Sequence, residues 1–173
     1  MALLDIIETP DPLLKTTSAP IDHVDDALRT FMDDMLETMY AAPGIGLAAI
    51  QVAIPKRVIV IDVQDREEGE KNPLFFVNPE IVASSEETSV YQEGCLSIPG
   101  QFADVERPAS VTVRYLDYHG NQHIEEMDGL LATCMQHEVD HLNGILFIDH
   151  LSHLKRKMIL KKLAKARKDA VIA

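Results

Sequence analysis

Apolar positions recur at helical spacing in three segments of the chain. In residues 22–39 they fall three or four positions apart, which places them on one face of a helix. These positions are Val24, Leu28, Phe31, Met32, Met35 and Met39. Asp22 is a suitable N-cap for this first helix, and Pro43 with Gly44 ends it.

Two further helices are predicted in the second half of the chain. Residues 128–143 form one of them, and Asn143-Gly144 is a common signal for a helix C-terminus. Residues 152–170 form the last one, with a partial apolar stripe. The stripe consists of Leu154, Met158, Leu160 and Leu163.

Shorter apolar runs predict β-strands between the first two helices. The predicted strands are residues 57–63, 74–82, 111–117 and 122–127. Pro79 interrupts the second strand, and the last two form a hairpin through His119-Gly120-Asn121. Residues 65–73 are rich in charge and contain Gly69, which predicts a solvated loop.

Size and composition favour one globular domain. The chain has 173 residues, 46% of them apolar, which suffices for a sizeable core. We find no internal repeat and no linker, so residues 1–173 are predicted to be a single domain. No apolar run approaches the ~18 residues of a membrane span, and the N-terminal stretch lacks the features of a signal or transit peptide. We therefore expect a cytoplasmic protein without membrane contact.

Charge is distributed unevenly along the chain. The net charge is −12, but residues 155–168 hold 8 of the 16 basic residues. Residues 1–154 contain the other 8 against 27 acidic residues, a balance of −19. An acidic body repels nucleic acid, whereas the basic last helix can contact it.

The strongest chemical signal is the segment His137-Glu138-Val139-Asp140-His141 in the second predicted helix. Residues four apart lie one above the other on a helix, so His137 and His141 can share one metal ion. Glu138 then lies beside the metal as a general base for a bound water. The alternative is a core helix with two hydrogen-bonded histidines.

Cys95 is the predicted third ligand. A catalytic metal site commonly uses three protein ligands and leaves one position open. Cys134 is one helical turn from His137, about 5 Å along the axis and away from an ion held between the two histidines. Cys95 comes from a separate segment and lies between a glycine and a Pro-Gly turn. We expect Cys134 to line an adjacent pocket, and His150 and His153 not to be ligands.

Gln51 is the lone amide in the small, apolar segment of residues 44–52. Two glycines there allow another group to approach the backbone closely, but the segment lacks the remaining residues of a phosphate-binding loop. A buried amide requires partners, so Gln51 is predicted to have a specific hydrogen-bonding role.

Three blocks of sequence together resemble the peptide deformylase family. They are Gly44-Ile45-Gly46-Leu47-Ala48-Ala49-Ile50-Gln51, Glu93-Gly94-Cys95-Leu96-Ser97 and Gln136-His137-Glu138-Val139-Asp140-His141. They occur in the family's order, and the long helix after the third block is similar to the bacterial subgroup that ends in this way. The resemblance implies an α+β fold with antiparallel β-sheets wrapped around the metal-binding helix.

The resemblance also implies an activity, a metal and site residues. The activity would be removal of the N-terminal formyl group from formyl-methionine of nascent polypeptides, with release of formate. Ferrous iron would be held by Cys95, His137 and His141, with zinc, nickel or cobalt able to replace it. Metal-bound water would attack the formyl carbon with Glu138 as general base, while the Leu96 backbone N–H and the Gln51 side chain stabilise the oxyanion.

The substrate pocket follows from the same resemblance. The methionine side chain would contact Ile45, Tyr91, Leu130, Thr133 and Cys134, and Gly46 would offer backbone hydrogen bonds to the peptide. Phe102 departs from the arginine of many relatives, which affects how the peptide beyond methionine is held. Arg107 matches a basic position of the family and could pair with Glu93 or Glu106.

Two other function classes remain open at this point. A zinc endopeptidase shares the H-E-x-x-H motif but usually takes a third His or Glu rather than a thiolate. A non-enzymatic metal-binding module would need a fourth protein ligand, and no residue has suitable spacing. We expect a monomer whose partners are formylated nascent peptides and, through the basic helix, the ribosome.

Overall fold

The computed structural model describes residues 2–64 and 70–172, with side chains as far as residue 169. These described residues form three α-helices and seven β-strands. The helices are α1 (Asp26–Ala41), α2 (Gly129–Leu142) and α3 (His153–Ile172). The strands are β1 (Gly46–Ala48), β2 (Val58–Ile61), β3 (Leu74–Ser84), β4 (Thr88–Cys95), β5 (Ile98–Pro108), β6 (Ser110–Leu116) and β7 (Gln122–Asp128).

The strands form two antiparallel sheets around α2. Five strands pair in the order β1-β2-β3-β6-β7, and β4 pairs with β5 in a separate two-stranded sheet. The described residues also include three short 3-10 helices: Pro12–Lys15, Ala49–Val52 and Phe147–His150. This confirms the predicted fold class of antiparallel sheets around the metal-binding helix, with a helix at the C-terminal end.

Strand β2 lies between helices α1 and α2 and is buried on both faces. Its side chains alternate, so Val58 and Val60 pack with α1 while Ile59 and Ile61 pack with α2. All four are fully buried. Burial of each such side chain stabilises the fold by roughly 1.5–3 kcal/mol, so the sheet is held firmly between the two helices.

The predicted first helix has the right face but the wrong ends. It begins at Asp26 because the Asp25 side chain, rather than Asp22, caps it by accepting a hydrogen bond of 2.8 Å from the Leu28 N–H. It continues to Ala41, beyond the predicted end at Met39. The turn then closes with a 2.8 Å hydrogen bond from the Gly44 N–H to the Met39 carbonyl.

Helix α2 has the predicted boundaries, with Asp128 and Asn143 as its flanking residues. Gly144 follows with φ +76°, in the left-handed region that favours glycine. A Cβ at this position would lie 2.5 Å from the Lys15 carbonyl oxygen, so the close packing of residue 15 also requires glycine. The ligand-bearing helix is thus fixed at its C-terminal end.

The predicted strands exist, and β3 shows the interruption expected near Pro79. Its pairing with β6 shifts register between Val77 and Glu80, and Asn78 has φ +51°. The strand nevertheless continues to Ser84. Strands β1, β4 and β5 were not among the four strands predicted from the sequence. Of the predicted solvated loop, residues 65–69 lie outside the described part of the chain.

The apolar stripe of the last helix was predicted correctly at Leu160 and Leu163 but wrongly at Leu154 and Met158, and Ile159 was missed. Leu154 is 68% and Met158 is 49% exposed, whereas Ile159 and Leu163 are buried. The reason is the phase of the helix, since Ile159 and Leu163 lie four residues apart on the face that meets β5 and Phe147. Among the described residues, no helix is long and apolar enough to span a membrane.

Candidate metal centre and substrate cleft

Cys95, His137 and His141 converge on one point between the two sheets. One ligand atom from each lies within 4.8 Å of the others, and the Cys95 Sγ is 3.3 Å from His141 Nε2. The two histidines come from successive turns of α2, with ring centroids 5.0 Å apart, and both are buried. The structure therefore brings together the three predicted ligands. Cys134 is absent from this cluster, as the helical geometry predicts.

Cys95 occupies the last position of β4, directly before the turn formed by Leu96 and Ser97. The turn directs the Ser97 N–H towards the Cys95 Sγ at 3.4 Å, and the Gln51 Nε2 donates to the same sulfur at 3.5 Å. The Cys95 sulfur thus faces two N–H groups, and the thiolate is the form of cysteine that binds metal. Both cysteines of the chain are free rather than bridged.

His137 is oriented by a buried ion pair. Its Nδ1 lies 2.9 Å from the Glu93 Oε1, and Arg107 binds both oxygens of Glu93 at 2.7 and 2.9 Å. Burial by itself would raise the pKa of Glu93, but hydrogen bonds from His137 and Arg107 outweigh it and lower the pKa. With Nδ1 engaged by the ionised Glu93, the Nε2 of His137 is left for a metal ion.

The predicted partner of Arg107 is partly confirmed. Glu93 is one partner, as proposed, but Asp140 is the second, at 2.8 Å from Arg107 Nη1. The other candidate, Glu106, instead accepts a 2.9 Å hydrogen bond from the Thr88 hydroxyl.

Proton binding differs between the two histidines. Burial lowers the pKa of His141 well below its ordinary value, so this imidazole is neutral and able to ligate. Burial opposes a charge on His137 too, but hydrogen bonds with Cys95 and Glu93 outweigh it and raise the pKa of His137. A proton on His137 therefore competes with a metal ion, as is usual for metal ligands.

Glu138 lies beside the ligands and is almost fully buried. It is 4% exposed, and burial raises the pKa of its carboxyl group to about 7. Its Oε1 has no hydrogen-bond partner among the described residues. A buried oxygen without a partner is costly unless a bound molecule satisfies it, so the carboxyl group is available to a water or a substrate.

Gly46 makes room for this carboxyl group. A Cβ on Gly46 would lie 2.6 Å from the Glu138 Oε2 and 2.8 Å from the Cys134 Sγ. Strand β1 can therefore pass the metal helix this closely only with glycine at position 46. The close approach predicted for the glycine-containing segment is thus observed.

Gln51 and Leu96 border the ligand cluster. The Gln51 Oε1 accepts a 3.0 Å hydrogen bond from the Ala48 N–H, while its Nε2 donates to the Ser97 hydroxyl at 3.0 Å and to the Cys95 Sγ. The side chain is 1% exposed. This fixed amide fulfils the sequence prediction that Gln51 has a specific hydrogen-bonding role.

A cleft of about 620 Å³ opens in front of the ligand cluster. All the residues of the predicted substrate pocket line it: Ile45, Gly46, Tyr91, Leu130, Thr133 and Cys134. Burial raises the pKa of Cys134, so this residue is a protonated thiol that lines the wall. Phe102 forms part of the rim, 62% exposed, and its ring covers Gly94 where a Cβ would lie 2.5 Å away.

The remaining histidines lie away from the cluster, as predicted for His150 and His153. His119 is exposed in the β6–β7 turn, and the half-buried His123 binds Asp117 at 2.7 Å. The His150 Nε2 lies 2.8 Å from the Asp140 Oδ2. The sequence analysis did not predict this contact between His150 and Asp140, although Asp140 lies inside the His137–His141 motif.

Comparison with known proteins gives one family for the whole chain. The model of the polypeptide deformylase family matches residues 3–157. The peptide deformylase of Rhizorhabdus wittichii is 60% identical over 172 residues, with 97% of each chain covered. That of Rhizobium meliloti is 56% identical over 168 residues, covering 97% of this chain and 96% of the relative.

Solved structures agree with the sequence comparison. The crystal structure of peptide deformylase from Ehrlichia chaffeensis is similar with a TM-score of 0.93 at 40% identity, covering 98% of this chain and 99% of that chain. The same enzyme in complex with actinonin gives a TM-score of 0.90 at 44% identity, covering 96% of this chain and 98% of that chain.

Proposed function

The chain belongs to the polypeptide deformylase family, and we propose that it uses Glu138 as the general base to remove the formyl group from formyl-methionine of nascent polypeptides, releasing formate. One observation carries this assignment of roles. Among the described residues, the buried Glu138 has an oxygen without a partner, in a cleft that Cys95 and His137 also line, and these two residues form one ligand cluster with His141.

The donor set fits a divalent metal ion. Cys95 offers a sulfur with two N–H donors, His141 is neutral, and His137 is engaged through Nδ1 so that Nε2 is left for a ligand bond. When bound, the ion supplies a water of lowered pKa and polarises the formyl carbonyl group. We propose ferrous iron as the native ion, as the family resemblance implies. Zinc, nickel and cobalt are proposed substitutes, because one thiolate and two imidazoles suit all four ions.

Glu138 performs the proton transfers. Its carboxylate accepts a proton from the water that attacks the formyl carbon, and the resulting acid then donates that proton to the departing amine. A pKa of about 7 supports both steps near neutral pH, because the carboxyl group is available in either state.

Negative charge develops on the formyl oxygen during the reaction, and hydrogen-bond donors stabilise it. We assign this role to the Leu96 backbone N–H and the Gln51 side-chain amide. Gln51 is held by Ala48 and Ser97, so its amide is already fixed before the reaction. Its contact with the Cys95 Sγ is long, at 3.5 Å, and the amide can exchange this weaker contact for a hydrogen bond to the charged oxygen. A fixed amide stabilises charge without reorganisation.

The substrate side chain enters the cleft beside α2. Ile45, Tyr91, Leu130, Thr133 and Cys134 surround the space for methionine. Strand β1 is an edge strand, so the outer side of Gly46 can pair with the backbone of an extended peptide. These assignments make formylated methionyl peptides the substrate class.

Formate release from formyl-Met-Ala-Ser, measured together with bound metal, tests the function. We expect formate in proportion to the metal content, and no cleavage of an internal bond in an unformylated peptide. Cleavage of that peptide without formate release would favour the zinc endopeptidase, and the absence of both reactions would favour a binding module.

Helix α3 is the proposed contact with the ribosome. Arg156 and Arg167 bind Asp149 and Glu8 of the body at 2.9 and 3.1 Å. The six lysines of the helix are exposed: Lys155, Lys157, Lys161, Lys162, Lys165 and Lys168. Exposed lysines on an acidic body suit RNA phosphates, and such binding weakens steeply with salt.

Lysine substitutions test this contact without removing the buried anchors Ile159 and Leu163. We expect the Lys161→Gln/Lys165→Gln variant to co-sediment less with ribosomes at low salt while hydrolysing a short formyl peptide normally. The matched control is Lys56→Gln/Lys71→Gln, which removes two exposed lysines of the body. Equal co-sedimentation of all three proteins would rule out docking through α3.

A further inference from the structure

The 3-10 helix Phe147–His150 lies between the ligand-bearing helix and the basic helix and contacts both. The Phe147 ring stacks on His137 with centroids 6.0 Å apart and an angle of 24°. Asp149 binds Arg156 of α3 at 2.9 Å and also pairs with Lys15 near the N-terminus. The segment is therefore held on two sides and presents fixed side chains to α2.

His150 contacts α2 at Asp140, the residue before the ligand His141. The distance from His150 Nε2 to Asp140 Oδ2 is 2.8 Å, and the same oxygen accepts from Arg107 Nη1 at 2.8 Å. The Asp140 side chain is 20% exposed and that of His150 is 36% exposed. One carboxylate oxygen thus joins a surface histidine to a buried arginine.

The connection continues from Arg107 to the metal centre. Arg107 and Glu93 form a two-point ion pair whose side chains are each 5% exposed, and Glu93 binds the Nδ1 of His137. The full sequence of contacts is His150–Asp140–Arg107–Glu93–His137. Every contact is 2.9 Å or shorter, so displacement of one member is transmitted to the next.

We propose that His150 is a positioning residue for the metal ligand His137, acting through Asp140, Arg107 and Glu93. This inference rests on the proposed metal site. Arg107 divides its donors between two carboxylates, so its position over Glu93 depends on where Asp140 is held. Without the donor from His150, the partly exposed Asp140 rotates towards water and Arg107 loses a fixed partner. Glu93 then orients His137 less firmly, and the metal ion dissociates faster.

Metal dissociation from the cobalt-loaded enzyme tests the proposal without recourse to activity. The thiolate-to-cobalt absorption of Cys95 is followed after addition of excess EDTA. Removing a direct partner of a ligand typically costs 10–100-fold in metal affinity, so we expect His150→Phe, which is further removed, to accelerate dissociation roughly 3- to 10-fold. His150→Gln keeps an N–H donor and should stay within about twofold of the wild type.

The matched control is His153→Phe, the same substitution at an exposed histidine at the start of α3. It should dissociate cobalt at the wild-type rate. Equal rates for His150→Phe and the wild type, or equal acceleration by Phe and Gln, would overturn the role of His150. A lower unfolding temperature of the metal-free His150→Phe protein with an unchanged dissociation rate would show a merely structural role.

If His150→Phe does not fold, His150→Ala provides the same comparison, because the side chain is partly exposed. Faster dissociation in this variant supports the proposal, and an unchanged rate overturns it. Absence of the thiolate-to-cobalt band in the wild type would instead overturn the metal site itself, so the two failures are distinguishable.

Discussion

Gly46→Ala tests whether the position of Glu138 limits catalysis. The new Cβ would lie 2.6 Å from the Glu138 Oε2, whereas ordinary contact begins at 3.4 Å. The carboxylate oxygen must therefore move by about 0.8 Å, and a shift of ~1 Å in a catalytic group can cost ~10²-fold in rate. We expect kcat to fall roughly 30- to 100-fold, which corresponds to about 2–3 kcal/mol of transition-state stabilisation.

The backbone of Gly46 is unchanged by this substitution, so peptide binding should survive. KM for formyl-Met-Ala-Ser should stay near the wild-type value, the metal content should be unchanged, and stability should fall by about 1–3 kcal/mol from overpacking. The assay is formate release under metal-saturating conditions, with urea unfolding as the stability measurement.

Gly44→Ala is the matched control on the same segment. Its Cβ would meet Leu96 Cδ1 at 2.8 Å, but this is the end of a flexible side chain that can rotate away. We expect less than about a threefold change in kcat, because only the side chain of Leu96 moves and its backbone N–H, the proposed oxyanion donor, stays in place. The reasoning fails if Gly46→Ala keeps kcat within threefold of the wild type, or if its activity is lost through loss of metal.

Three further predictions follow from the ligands and from the support of α3. Glu138→Gln should lower turnover by roughly 10²–10⁴-fold or more with metal retained, and a parallel fall in metal content would show that Glu138 is a ligand. The iron-loaded enzyme should lose activity in air faster than the nickel-loaded enzyme, and equal aerobic lifetimes would argue against a bond between Cys95 and iron. The Cys95→Ser variant should be inactive, whereas Cys134→Ser should still bind metal. Burial alone would raise the pKa of Asp149, but hydrogen bonds, led by the one from Lys15, lower it. The ionised Asp149 therefore stabilises the fold at pH values above the pKa that this group has in the unfolded chain. This stabilisation is lost as the pH falls through the lowered pKa of the folded state. The difference in unfolding free energy between the wild type and Asp149→Asn, measured by urea at pH 7 and near pH 3, should therefore shrink in acid, and a constant difference would contradict the assignment.

The metal helix could be predicted from sequence because its information is local. Asp128, Asn143 and Gly144 mark its ends, and the helical period alone places His137 above His141. The choice of Cys95 over Cys134 followed from the same geometry. Where one rigid element carries the chemistry, short-range spacing is sufficient.

Other features depend on contacts between distant segments. Strand β5 contains two prolines and several charges, and its pairing with β4 becomes apparent only in three dimensions. The cap at Asp25 rather than Asp22 was a choice between two nearby aspartates with the same chemistry. The link from His150 to Arg107 joins residues 43 positions apart through Asp140, and no local pattern indicates it.

The double burial of β2 has a consequence for how the molecule unfolds. Because Val58 and Val60 belong to the core beside α1 and Ile59 and Ile61 to the core beside α2, neither of these two layers can separate from the sheet without exposing this strand. The two cores therefore lose order together, in one cooperative transition. Backbone amides of β2 should exchange with deuterium only through global opening, and they report the full free energy of unfolding of the domain.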